Sequence, residues 1–205
     1  MVKEGKRFSL RLDPKKIHQA IFLIVLGITL RIALAGYANI EPVLGIALMA
    51  GLILGGVYAF IVPFSIMALS DMAINALHYE GAFGWKILFG ISFFTWTGMM
   101  FVGYMGTRAK PKLLFTMKGV GVFTGIAVIL TILYDMWTVV GIIILIPYAS
   151  PSHIIVAQIP FSIYHILSTL IFVPLFGVGY YYICEFGLPN INDLKTPVEI
   201  PEDEA

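Results

Sequence analysis

The stretch GVGVFTGIAVILTILYDMWTVVGIIILIP, residues 119–147, is continuously apolar and carries a single charged side chain, Asp135. A helix rises about 1.5 Å per residue, so about 20 residues cross the roughly 30 Å hydrocarbon core of a bilayer. The stretch is longer than that. It therefore predicts a membrane-spanning helix with one carboxylate inside it.

The whole chain shares this character. Of its 205 residues, 59% are hydrophobic and only 12% are charged, and the mean hydropathy is +0.92. These values exclude an ordinary soluble domain. A closed barrel would need alternating apolar and polar residues, whereas the apolar runs here are continuous. We therefore expect an all-α membrane protein, a bundle of six transmembrane helices.

The spans follow from the lengths of the apolar runs. Gly55 and Gly56 interrupt a run that is too long for one helix, so we expect two helices there, the first of them short. The six predicted spans are about 17–37, 43–55, 57–77, 85–106, 119–147 and 153–184. Together they form one integral membrane domain, 1–190, followed by a flexible cytoplasmic tail, 191–205.

Basic residues set the predicted orientation, because short cytoplasmic loops are enriched in Lys and Arg. They gather before the first helix and after the fourth: Lys3, Lys6, Arg7, Arg11, Lys15, Lys16, Arg108, Lys110, Lys112 and Lys118. With six spans, both termini are cytoplasmic in a multi-pass protein of the cell membrane. A cleaved signal peptide would also fit the basic start, but Arg31 would interrupt its apolar region just before the cut.

Polar side chains inside the spans are expensive in hydrocarbon unless they face a partner or a cavity. Counted along each predicted helix, they gather in the outer half of the bundle. We therefore expect an outward-facing cavity where they bind a small molecule. The candidate substrate-binding residues are Arg31, Asn39, Glu41, Asp71, Asn75, Trp96, Tyr134, Asp135, Thr138, Ser162 and His165.

Each of these residues also has a structural explanation. Arg31 either neutralises Asp71 or pairs with a carboxylate or phosphate of the ligand. Asp135 could be neutralised by a similar pair, and His165 suits a hydrogen bond between helices. The tryptophans suit an aromatic belt. Only the shared depth of the set favours a common site.

Small residues four apart predict close helix packing, because they let neighbouring backbones approach. Two such series occur: Ala47, Gly51 and Gly55 in the second span, and Gly121 and Gly125 in the fifth.

Motifs of soluble enzymes are absent from the sequence: it has no phosphate-binding loop with its lysine, no CxxC pair, no HExxH and no GxSxG. We therefore expect no catalytic residues, no metal site and no cofactor. The single cysteine, Cys184, excludes an internal disulfide.

Several segments resemble the substrate-binding S components of energy-coupling factor transporters. They are RIALAGYANIEP (31–42), GIALMAGLILGGVYAFIVP (45–63), MALSDMAIN (67–75), ILYDMWT (132–138) and IPFSIYHILSTLIF (159–172).

The resemblance implies a six-helix subunit with cytoplasmic termini that binds a vitamin-like small molecule or a related micronutrient near the outer surface. It also implies a membrane coupling subunit, two cytoplasmic ATPase subunits, and release of the cargo by toppling of the S component in the bilayer. Such proteins often carry alanines four apart in the first helix for docking, where this chain offers only Ala20 and Gly27. We expect the small-residue faces of the first two helices to meet the coupling subunit.

Three other functions stay open. A non-transporting scaffold subunit would use the polar residues to join helices. A membrane-embedded enzyme would use Asp71, Asp135 or His165 for acid–base chemistry, although no nucleophile accompanies them. A self-sufficient ion-coupled carrier is the third, but the hydropathy shows no clear inverted repeat.

Overall fold

The computed structural model describes residues 14–37, 39–78, 85–109, 114 and 116–186. This part of the chain is helical and contains no strand. Its elements are α1 (Pro14–Ala33), α2 (Val43–Met49), a π-helical turn (Ala50–Leu54), α3 (Tyr58–His78), α4 (Trp85–Gly106), α5 (Met117–Leu145) and α6 (Pro151–Phe186). The all-helical class is confirmed.

Four helices among the described residues are long and apolar enough to cross a membrane, which indicates a membrane protein. They are Lys16–Ala33, Tyr58–Ala76, Met117–Leu145 and Pro151–Ile183, and Val43–Leu54 is a shorter apolar helix. Helix α4 has 22 residues and is rich in apolar side chains, as the other long helices are. The predicted tail, 191–205, lies outside the described residues.

Helix α2 forms the centre of the bundle. Every residue from Val43 to Met49 is buried, and the helix packs against α1, α3, α4, α5 and α6. At about 1.5 Å per residue, α2 and the π-helical turn are too short to cross a roughly 30 Å core. The loop that precedes α2 therefore enters the bundle before the helix begins.

The predicted break at Gly55 and Gly56 is confirmed. Both glycines have positive φ, +61° and +55°, a conformation that costs glycine little and other residues much. The chain turns there, and α3 begins two residues later, at Tyr58.

Close packing around α2 depends on glycine. A Cβ added to Gly51 would collide with the carbonyl oxygen of Gly103, and one added to Gly103 would collide with that of Ala59. The small-residue prediction is therefore right at Gly51. It is wrong at Gly121 and Gly125, where an added Cβ meets nothing within 4 Å.

The small residues expected to form the docking faces of α1 and α2 lie inside the bundle. Ala20 and Ala47 are buried, and a Cβ on Gly27 would collide with the side chain of Ile66. These small residues are turned into the bundle, where they pack against neighbouring helices. They are not free to meet another subunit.

Candidate functional site

An ion-paired cluster joins α1, α3 and the loop before α2. Arg31, in the last turn of α1, donates through Nη1 to the Asp71 carboxylate and to Ser70 Oγ, the latter at 2.8 Å. Its Nη2 lies 3.3 Å from Glu41 Oε1. The Arg31, Asp71 and Glu41 side chains are 12%, 18% and 21% exposed, so this cluster is largely removed from solvent.

Helix α4 completes the cluster through Trp96. Its Nε1 donates to Asp71 Oδ2 at 2.7 Å, and its ring packs edge-on against Phe64 of α3 with centroids 5.4 Å apart. Both oxygens of Asp71 therefore accept hydrogen bonds. The indole is therefore a hydrogen-bond partner of the carboxylate, a role that the sequence did not predict.

A cavity of about 380 Å³ opens beside this cluster. Small-molecule sites typically measure about 300–1,000 Å³ and combine apolar walls with a few polar groups. Five predicted site residues line the cavity: Arg31, Asn39, Glu41, Asp71 and Asn75. The other lining residues are Leu34, Ala35, Tyr37, Ile40, Ile74, Ile91, Ser92, Thr95 and Phe161.

Sequence reasoning missed these nine. A neutral serine, threonine or aromatic residue in an apolar helix carries no signal of its own. Only the geometry of the bundle shows that Ser92 and Thr95 of α4 line the same cavity as Arg31. The regular i, i+3 spacing of these two residues is the signal that a helical-face analysis of α4 would use.

A second cluster joins α5 to α6. His165 Nδ1 lies 2.8 Å from Asp135 Oδ1, and the two side chains are only 2% and 7% exposed. The Tyr134 ring packs edge-on against His165 with centroids 5.5 Å apart. One helical turn away on α6, Thr169 shares a hydrogen bond of 2.8 Å with Thr131. This cluster fits the interhelical explanation.

Six predicted site residues do not line the cavity: Trp96, Tyr134, Asp135, Thr138, Ser162 and His165. Thr138 Oγ1 donates to the Asp135 carbonyl of its own helix, at 2.8 Å. Tyr134 instead lines a separate cavity of about 400 Å³ between α4 and α5, with Thr97, Gly98, Phe101, Leu133 and Trp137. The sequence predicted one cavity for all the polar residues, and the structure divides most of them between two clusters.

The two clusters are nevertheless neighbours. Ser168 Oγ, one turn from His165, donates to the Glu41 carbonyl at 3.0 Å. Among the described residues, buried side-chain atoms without a hydrogen-bond partner occur in both clusters: Arg31 Nε, Glu41 Oε2, Asn75 Oδ1, Asp135 Oδ2 and His165 Nε2.

Comparison with known proteins places the chain in a family. Residues 13–190 match the model of a family of unknown function, DUF6580. The chain belongs to DUF6580. No curated protein and no solved structure matches it. The match to DUF6580 spans both clusters and all six helices, so it covers the complete candidate site.

Proposed function

We propose that this DUF6580 protein is a membrane-embedded substrate-binding subunit for uptake of a vitamin-like small molecule or a related micronutrient. Separate subunits supply the energy: a membrane coupling subunit and two cytoplasmic ATPase subunits. This chain performs no catalysis in the proposal. Its resemblance to energy-coupling factor S components supports this arrangement.

The cavity beside Arg31, Glu41 and Asp71 is the observation that carries the proposal. Burying three charged side chains in an apolar bundle costs free energy, and an apolar replacement of similar volume is often as stable. A cluster kept only for stability needs no adjoining void. Here the charged groups form part of the wall of a space large enough for a small molecule.

The proposed orientation has six spans, cytoplasmic termini and an outward-facing cavity. Lys16 Nζ donates to the Leu54 carbonyl at 2.5 Å, so the start of α1 lies at the far end of the bundle from Arg31. Arg108 follows α4 and Lys118 lies at the start of α5, at that same far end. Since basic residues favour the cytoplasmic side, this distribution supports a cavity that faces outward.

Mass spectrometry of the gently purified protein tests the proposal. Asn75→Phe adds a ring to the cavity wall, whereas Met72→Phe adds the same ring on the same helix at a side chain that is 66% exposed. We expect the natural chain and Met72→Phe to retain the same small molecule, and Asn75→Phe to lose it. Coupling and ATPase subunits should accompany the protein in a native preparation. A folded natural chain that retains no small molecule would contradict the proposal.

A second candidate is a non-transporting scaffold subunit. The Asp135–His165 pair and the Thr131–Thr169 hydrogen bond favour it, because both tie α5 to α6 away from the cavity. A scaffold would retain partner proteins in the same preparation but no small molecule, so one measurement separates the two functions.

A further inference from the structure

The charges at the cavity do not balance. Its lining includes one basic side chain, Arg31, and two carboxylates, Glu41 and Asp71, among the described residues. In their ordinary charged forms these groups sum to one negative charge. Since charge in a low-dielectric site is costly unless it is paired, a positively charged occupant would stabilise the cavity.

Both terminal nitrogens of Arg31 already have partners within the protein. Its Nη1 donates to both Asp71 and Ser70, its Nη2 contacts Glu41, and its Nε is buried. A ligand carboxylate or phosphate would have to displace one of these partners and then lie beside two like charges. This arrangement disfavours an anionic ligand, one of the two alternatives that the sequence left open.

Glu41 carries the surplus charge. Asp71 is paired with Arg31 and accepts a further hydrogen bond from Trp96, so both its oxygens are satisfied. Glu41 reaches Arg31 only through Oε1, at 3.3 Å, and its Oε2 has no partner. The oxygen of Asn75, another lining residue, also lacks a donor. Among the described lining residues, two buried acceptors therefore lack a partner, against one buried donor, Arg31 Nε.

The remaining walls suit the body of an organic cation. Tyr37 and Phe161 contribute aromatic rings, whose faces attract cations. The aliphatic side chains of Leu34, Ile40, Ile74 and Ile91 complete an apolar surface. Resting on the proposed function, we infer that the cavity binds a small organic ammonium compound, with its charged nitrogen at Glu41 and its apolar part against these walls.

Matched probes test the charge preference on the full-length protein in lipid nanodiscs. The cations are butylammonium and phenethylammonium. Their neutral counterparts are butanol and 2-phenylethanol, and their anionic counterparts are butyrate and 3-phenylpropionate. Affinity is measured from the ligand-dependent rise in unfolding temperature. An alcohol can donate a hydrogen bond to the carboxylate, but an ammonium group adds a positive charge that strengthens the interaction. We therefore expect the better cation to bind roughly tenfold more tightly than its alcohol.

Three variants locate the effect. Glu41→Gln keeps an oxygen for Arg31 but removes the surplus charge, so the preference for ammonium should disappear. Asn75→Asp adds a carboxylate outside the Arg31 ion pairs, so ammonium binding should tighten; this variant serves if Glu41→Gln does not fold. Lys118→Gln changes the charge by one unit at an exposed position of α5 and should leave the preference unchanged.

The outcomes separate this inference from the function on which it rests. Preferential binding of an anion, equal binding of all three classes, or no binding of any probe overturns the cation assignment. An anionic molecule retained by the gently purified protein would overturn it too, while leaving the uptake function standing. Absence of any retained molecule would instead remove the proposed function.

Discussion

The side chains of the Arg31 cluster differ in their hydrogen-bond partners, although the sequence presents them as one group. Asp71 accepts from Arg31 and Trp96 and joins three helices, whereas Glu41 lines the cavity and has one buried oxygen without a hydrogen-bond partner. The position of these residues in apolar segments shows that they cost free energy in lipid. It does not show which carboxylate oxygen has a hydrogen-bond partner, because the partners come from other helices.

Trp96→Phe tests the hydrogen bond to Asp71 while keeping most of the ring. We expect a loss of about 1.5–3 kcal/mol of unfolding free energy, because the acceptor is charged and shielded. Trp137→Phe is the matched control. Its Nε1 donates to the neutral Thr97 Oγ1 at 3.1 Å in an exposed setting, so the loss should be about 1 kcal/mol or less. Equal losses by thermal or denaturant unfolding would contradict the assignment.

The Asp135–His165 pair should serve stability and not ligand retention. His165→Ala leaves the Asp135 carboxylate buried without its partner, which typically costs about 3–5 kcal/mol. Replacing both residues by leucine should recover much of that loss, since no unpaired charge is left. Retention of the bound molecule should be unchanged in every variant that folds. Loss of the molecule from a folded Asp135→Ala or His165→Ala protein would return both residues to the site.

At the scale of elements, the apolar runs of the sequence predict where the helices lie better than which face of each helix meets a neighbour. The apolar runs predicted helices ending near those observed, and Gly55-Gly56 predicted the break before α3. The small residues of α2 and α5 look alike in sequence, yet one series is central and the other lies on an open surface. Which face meets a neighbour depends on how the helices assemble, and no single helix encodes that.

Gly103→Ala and Gly121→Ala test this difference with the same added methyl group. The first drives a Cβ into the Ala59 carbonyl, so we expect a loss of about 1–3 kcal/mol from overpacking. The second enters open space and should leave stability unchanged or slightly higher, because alanine favours helix over glycine. Thermal unfolding in one detergent measures both. A destabilised Gly121→Ala protein would indicate a contact on α5 that this structure lacks.

At the scale of the whole molecule, the bundle brings fewer than half of the predicted site residues together at one cavity. Five of the eleven candidates line the cavity, because the last turn of α1, the loop before α2 and the second half of α3 lie side by side. The other six were assigned by depth alone, and depth does not specify the direction of a side chain around its helix. Which neutral residues line the cavity depends on how all the helices pack together, so the sequence alone could not predict them.

Cysteine labelling tests the proposed orientation of the bundle. In a Cys184→Ser background, Tyr148→Cys places a thiol at a residue that is 86% exposed between α5 and α6. We expect a membrane-impermeant maleimide to label it in intact cells. Lys118→Cys should react only after permeabilisation, since it lies at the predicted cytoplasmic end. The reverse labelling pattern would indicate the opposite orientation, with the cavity facing the cytoplasm.

The most direct measurement is an experimental structure of the gently purified protein, by crystallography or electron microscopy, at a resolution that shows side chains. We expect density for a small molecule between Glu41, Asn75 and Phe161, with Arg31 still bound to Asp71. A folded protein whose own side chains fill this space would contradict the proposed binding site. So would one in which the space holds no small molecule.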